Sequence, residues 1–289
     1  MSELVSGLRP TGTPPLRFFG AFEALHTLDL PEMEVGDLYE GYGAELYDFV
    51  SQHDEYDVAR HVANARRLPG AALELACGNG RLTLPLARAG VSVAGVDTSA
   101  DMLTVLRRRL EREPSDVRAL VRAHQQDMTA LRLGERFEYV FLGALTLCVL
   151  HDPRSRVALF RGVNEHLADG GTFCFDYLRT SPEALREQDD RVLAVTAVRG
   201  PTKRYTLIGR RYYPDEHVQV VNFFSEAVSE DGSTRRFLNS TSKWVVDAEL
   251  VREELEAAGL RVVADDPLLT VPGPAEETIR LVTCTRPGS

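Results

Sequence analysis

No stretch of this chain is apolar for long enough to span a membrane. Its first residues lack a charged-then-apolar leader pattern, so the expected location is the cytoplasm. Cysteine is scarce: Cys77, Cys148, Cys174 and Cys284 lie far apart, each in an apolar, strand-like segment. That spacing argues against a disulfide framework and reads as four buried, reduced thiols of an intracellular protein. Clustered metal ligands are missing too, so no metal is expected. Positive charge is in short supply, with 33 Lys+Arg against 43 Asp+Glu and a formal net charge of -10, which argues against a nucleic-acid-binding surface. The one local basic run, Arg107-Arg108-Arg109, falls on a predicted helix with Glu111 and Glu113 close by and reads as a solvated helix face. No repeat recurs at a fixed period. What is present is ordinary for a globular chain: 289 residues with 44% hydrophobic and 26% charged content suit one large domain, or one domain with a sizeable insertion.

The most informative stretch is Ala72-Leu73-Glu74-Leu75-Ala76-Cys77-Gly78-Asn79-Gly80-Arg81-Leu82-Thr83. It reads as a short buried strand, a tight glycine turn and a helix start, with Pro85 tolerable in the first turn. Glycines at this point let a ligand approach the main chain closely, and in open α/β sheets nucleotide-like ligands sit where strand gives way to helix. A second strand, Gly90 to Asp97, ends in an acid at about the distance from the glycine turn where a βαβ unit binds both ribose hydroxyls. Ser99 caps the next helix. A third strand runs from Ala123 into Gln126, Asp127 and Met128, placing Asp127 to accept an adenine amino group.

Residues 1 to about 30 carry Pro, Gly and Thr and predict a poorly ordered start whose Phe18, Phe19 and Phe22 dock on the body or on a second subunit, simple packing being the favoured reading. Tyrosines 39, 42 and 47 precede or lie in a helix and suggest a segment that closes over a pocket, or one that the rings anchor by packing. An amphipathic helix spans 54 to 67, with His61 at its surface or boundary. Phe137 to Gly143 reads as a fourth strand, buried on both faces. Asp152 and Pro153 start the helix 154 to 167, and Gly170-Gly171 turns into a fifth strand. From 192 to 246 the pattern alternates with turn signals at Pro214-Asp215 and 230 to 233, predicting an antiparallel sheet. Asn222, Tyr205, Tyr212 and Trp244 are its candidate pocket residues. Asp247 caps a last helix that Gly259 ends, and two strands at 261–264 and 278–283 close the chain.

The ordered set of strand-Glu-turn-Gly-x-Gly, strand-Asp and strand-Gln-Asp-Met resembles the class I S-adenosylmethionine-dependent methyltransferases over about residues 40 to 180. Leu82 stands where a dinucleotide fingerprint has its third glycine, which argues against a dehydrogenase. The resemblance implies an α/β fold: a Rossmann-like, seven-stranded, mostly parallel sheet with helices on both faces, plus an antiparallel sheet inserted near the C-terminal part. The expected divisions are an arm and lid at 1–50, a cofactor-binding core at 51–180, the inserted substrate cover at 181–246 and the closing helix and strands at 247–289. S-adenosyl-L-methionine is the implied cofactor. Its implied contacts are Tyr39, Tyr47, Glu74, Ala76, Gly78, Gly80, Arg81, Asp97, Thr98, Met102, Gln126, Asp127, Met128 and Leu142. Leu150-His151 matches a Leu-His pair of relatives, so His151 is the candidate base or substrate ligand, or else a residue that packs at the helix start. The nearest resemblance is to glycopeptide-antibiotic-like N-methyltransferases of natural-product pathways. It implies methyl transfer to an amine of a peptide or other small natural product. A homodimer is a candidate assembly. O- or C-methyl transfer, or cofactor binding without catalysis, are the alternatives.

Overall fold

The computed structural model describes residues 16–28, 30–51, 54–199, 202–271 and 277–288. The arm holds helix α1 (Ala21–Thr27), strand β1 (Met33–Val35) and helix α2 (Gly41–Val50). Helix α3 (Val58–Arg66) leads into β2 (Ala72–Leu75), α4 (Thr83–Arg88), β3 (Val93–Asp97), α5 (Ala100–Leu110), the short α6 (Ser115–Arg118) and β4 (Val121–Gln125). Then come β5 (Phe137–Leu142), α7 (Pro153–His166), β6 (Leu167–Arg179) and α8 (Pro182–Glu187). Four strands follow: β7 (Val192–Arg199), β8 (Thr202–Tyr213), β9 (Val218–Val228) and β10 (Thr234–Trp244). Helix α9 (Ala248–Ala257) and the pair β11 (Arg261–Val271) and β12 (Glu277–Thr285) complete the described chain.

The first sheet has seven strands in the order β11-β12-β6-β5-β2-β3-β4. Strands β4, β3, β2, β5 and β6 are mutually parallel, and β12 and β11 add antiparallel at one edge. Side chains leave this sheet alternately to its two faces. Leu73 and Leu75 join one core with Leu159 and Val163 of α7 and Leu255 of α9, while Ala72 and Phe141 join another with Ala65 of α3 and Leu86 of α4. Each fully buried Leu or Phe contributes roughly 1.5–3 kcal/mol relative to exposure. The helix starts are those the sequence marked. Ser99 accepts from Met102 N, Asp152 from Arg154 N, and Asp247 from Glu249 N and Leu250 N.

The second sheet runs β1-β10-β9-β8-β7. Its long strands pair antiparallel, as expected, but β1 of the arm adds parallel to β10, so the sheet is mixed rather than antiparallel. The arm is therefore more ordered than its composition suggested from residue 16 on, and residues 1–15 lie outside the described part. Phe19 and Phe22 are buried against Val220 and Phe224. Asn222 fixes the arm from below: its Oδ1 accepts from Phe19 N at 3.2 Å and its Nδ2 donates to Arg17 O at 2.8 Å.

His61 also departs from expectation. It is fully buried, with Nδ1 2.7 Å from the Tyr139 hydroxyl and its ring 4.8 Å from that of Phe141. The apolar face of α3 lies on β5, so its polar residue finds a partner there, and burial pushes the imidazole down to about 4. Glu113 pairs with Arg88 and also feels the charge of Arg109 on α5, both of which lower its proton affinity.

Candidate active site

The parallel strands end on a cavity of about 180 Å³. Its floor is the turn after β2. Ala76 and Gly78 both have positive φ, at 51° and 53°. A Cβ on Gly78 would come within 3.0 Å of Met102 Cε and 4.0 Å of the Asp97 carboxylate, so only glycine leaves this cradle open. Gly80, at φ 79°, faces away from the cavity: a Cβ there would meet Leu106 at 2.3 Å. Its role is to seat the turn on α5.

Asp97 closes β3 beside that turn. One carboxylate oxygen accepts from Gly78 N at 2.8 Å and the other from Ser99 N at 2.9 Å. Burial raises its proton affinity, and the backbone N–H groups of Ser99, Gly78 and Thr98 pull it back toward the ionised form. Each oxygen keeps a lone pair for a diol. Thr98, Met102 and Met128 complete this side with apolar and polar walls of a size for a flat ring. Glu74 is buried and accepts from the Thr83 hydroxyl; burial dominates and pushes the carboxyl up to about 8.

Tyr39 and Tyr47 cover the cavity from the arm, their rings edge to face at 5.4 Å. The cover is tied to α5: Gly41 N donates to Asp101 Oδ2 at 2.8 Å, and the Ser99 hydroxyl donates to Tyr39 O. Arg81 lines the same cavity, but its guanidinium is forked on Asp57, with Nη2 2.7 Å from Oδ2 and Nη1 also on Asp54 O. Burial works against that charge, and the pair with fully buried Asp57 more than restores it.

Of the remaining expected contacts, the structure brings Gln126, Asp127 and Leu142 elsewhere. Gln126 spends its amide on the backbone of Arg132, at 2.9 and 3.2 Å. Asp127 is exposed and caps the next turn through Thr129 N and Oγ1, both at 2.8 Å. Leu142 lies in the core between the sheet and α7. His151 does not reach the cavity: its Nε2 lies 3.0 Å from Ser242 O, to which it donates, tying the start of α7 to β10.

A second cavity, about 360 Å³ and largely apolar, opens beside the first. Tyr177, Leu178 and Ile279 of the first sheet form one wall, and Ile208, Phe223 and Trp244 of the second sheet form the other. On β9, Gln219, Val221 and Phe223 face this chamber, while Val220, Asn222 and Phe224 face the arm. Of the four sheet residues singled out from sequence, only Trp244 lines it. The two cavities share Leu145, Cys148 and Lys243. Lys243 is one of two lysines in the sequence, with Lys203.

The shared wall has its own support. Ala144 and Leu145 both have positive φ, at 59° and 58°. Fully buried Asp176, at the end of β6, accepts from Leu145 N at 2.8 Å and from the Tyr56 hydroxyl at 2.8 Å. Burial holds Asp176 up at about 7. Sequence reasoning missed Asp57, Asp176 and Lys243. The signal for Asp176 was there: a lone acid inside Phe173-Cys174-Phe175-Asp176-Tyr177, an otherwise apolar run.

Residues 72–171 match the family model described as a methyltransferase domain. The cypemycin N-terminal methyltransferase of Streptomyces sp is 27% identical over 79% of this chain and 89% of its own. The sugar N-methyltransferase KedS8 from Streptoalloteichus sp ATCC 53650 superposes with a TM-score of 0.68 at 20% identity, covering 97% of this chain and 99% of that one. The glycopeptide N-methyltransferase MtfA in complex with S-adenosyl-L-methionine does so with a TM-score of 0.56 at 24% identity, covering 92% and 97%. The last two likenesses carry the fold, and the family match carries the domain.

Proposed function

We infer that this S-adenosylmethionine-dependent methyltransferase transfers its methyl group to an amine of a peptide or other small natural product of secondary metabolism. The observation that carries this reading is the meeting of the two cavities at Leu145, Cys148 and Lys243. The smaller one offers a diol acceptor, Asp97, beside a glycine cradle; the larger offers an apolar chamber for the acceptor molecule. S-adenosylmethionine supplies a methyl group already activated on a sulfonium. Bound in the smaller cavity, where Asp97 and the Gly78 turn would hold it, it would give that methyl to the amine lone pair and keep the C–S electrons as a thioether, the ammonium proton going to solvent.

The protein's share is alignment and keeping the amine neutral. An apolar chamber disfavours an ammonium ion, and the positive Lys243 beside the junction adds to that. No general base is needed for such an acceptor, in keeping with the absence of His151 from both cavity walls. We assign His151 a positioning role, holding Ser242 and so its neighbour Lys243. His151→Gln, which keeps a side-chain donor, should retain turnover within about 3-fold, whereas a base would cost about 100-fold or more. The relatives' names support a nitrogen acceptor: a peptide N-terminus for the cypemycin enzyme and a sugar for KedS8. Exposed apolar residues on the edge strand β7, Leu193 at 58% and Val198 at 73%, support a homodimer, which light scattering would test. Four free thiols support a reducing, cytoplasmic setting.

The test is a screen of peptide amines, aminosugars and phenols with S-adenosylmethionine, read by mass spectrometry. Methylated amines are the expected products. Methylation confined to hydroxyl or carbon acceptors would overturn the nitrogen assignment.

A further inference from the structure

A third cavity, about 310 Å³, lies between α2, α5 and the start of β8; it shares no lining residue with the other two, and Asn79 stands between it and the smaller one. Four guanidinium groups line it: Arg108, Arg109 and Arg112 from α5 and the turn after it, and Arg204 from β8. Among the described residues, two acids, Glu45 and Asp48, are the carboxylates in the same lining. The wall therefore carries an excess of two positive charges on a chain whose net charge is -10.

A solvated helix face does not account for this. The negative end of the α5 dipole favours arginines in its last turn, which explains Arg108 and Arg109. It does not explain Arg204, which arrives from the second sheet, or Arg112 beyond the helix end. Like charges brought together this way repel unless an anion joins them.

The four groups divide into a fixed pair and a free pair. Arg109 donates to Asn79 O at 3.1 Å and lies 3.5 Å from Asp48. Arg204 stacks over Phe49 at 4.9 Å and Tyr42 at 5.4 Å and donates to Ser225 Oγ at 3.3 Å. The guanidinium groups of Arg108 and Arg112 have no hydrogen-bond or ion-pair partner among the described residues. Two pre-set forks with two open ones around a cavity match the several oxygens of a phosphate or diphosphate, which arginine grips two at a time. Fixing half of the forks in advance lowers the ordering cost of binding.

We propose that this cavity is an anion site for a small phosphate-bearing molecule, separate from the methyl-transfer site. The size of the cavity and the acidity of the rest of the chain suit a small molecule rather than a polynucleotide. Calorimetric titration with inorganic pyrophosphate tests it, with succinate as a carboxylate control. Pyrophosphate should bind at one site per chain, and succinate should not. The double variant Arg108→Ala/Arg112→Ala should weaken pyrophosphate binding by at least ~10-fold while S-adenosylmethionine affinity stays within ~2-fold. Both side chains are exposed, so the variant is expected to fold, and far-ultraviolet circular dichroism checks this. Arg112→Glu, a single reversal of charge, should weaken binding further than Arg112→Ala. Failure of the native chain to bind pyrophosphate, equal binding of succinate, or equal binding by native and double variant overturns the proposal.

Discussion

Asp97 does two things with one carboxylate. It locks the glycine turn through Gly78 N, and its remaining lone pairs are the ones we propose for a ribose. Asp97→Ala should therefore weaken S-adenosylmethionine binding by about 2 kcal/mol, some 30-fold, by calorimetry. Affinity equal to that of the native chain would remove Asp97 from the cofactor site. Glu74 makes a different prediction. Its carboxyl is raised from 4.5 to about 8 by burial, so between those values the folded chain holds a proton that the unfolded chain has released. Its contribution to stability is complete below pH 4.5 and is lost as pH rises through 8, at about 1.4 kcal/mol per pH unit in between. Asp176, held at about 7, acts in the same direction over part of that range. The difference between two unfolding curves thus isolates Glu74: Glu74→Gln should remove one proton's worth of slope. Parallel curves would mean that Glu74 is ionised in the folded chain.

At the scale of elements, the loop between β5 and α7 decides where the two cavities meet. Two successive residues with positive φ are unfavourable backbone, and the Asp176 acceptor holds them in place. Removing it in Asp176→Ala leaves Leu145 N and the Tyr56 hydroxyl without their partner and should cost about 3 kcal/mol in urea unfolding. KM for the acceptor should rise by about 10-fold while cofactor affinity stays within about 2-fold, because Leu145 shapes the junction rather than the cradle. Asp176→Asn keeps an oxygen for Leu145 N and should restore most of KM. An unchanged KM in the alanine variant would make Asp176 a packing residue. Much at this scale was legible: Ser99, Asp152 and Asp247 each cap the helix the sequence assigned to them, because a cap reads only its next few residues. The parallel β1 was not legible, since three residues carry too little pattern to announce a partner 200 positions on.

For the molecule as a whole, the join between the two sheets passes through Arg156. It is buried and forks onto Glu254 of α9 at 2.7 and 2.8 Å. It also donates to Leu150 O and His151 O, both at 3.0 Å, and lies 3.9 Å over the Trp244 ring at the end of β10. One side chain thus binds α7, α9, the junction loop and the second sheet. Glu254→Ala strands this cation in the interior and should destabilise the fold by about 3–5 kcal/mol in urea. The apolar double replacement Arg156→Met/Glu254→Leu should recover much of that, because a buried pair gains little over well-packed apolar residues. A cost near zero for the single variant would show that the sheets are held together elsewhere.

The sequence by itself determined the order of the parallel strands β2 to β6, the glycine turn, the acid at the end of β3 and the helix caps. Each of these depends on neighbours a few residues apart or on a short period, so the chemistry that sets it is local. Tertiary structure alone decided which residues share a cavity. A period of two marks two faces of β9 but not that Val221 and Phe223 face the chamber while Asn222 anchors the arm. Tertiary packing sent Arg81 to Asp57 and His151 to Ser242, and it gathered Arg108, Arg112 and Arg204 around one space. The partners of Asn222, His151 and Asp176, and the burial of each, come from the packing of elements far apart in the chain, and no local pattern encodes them.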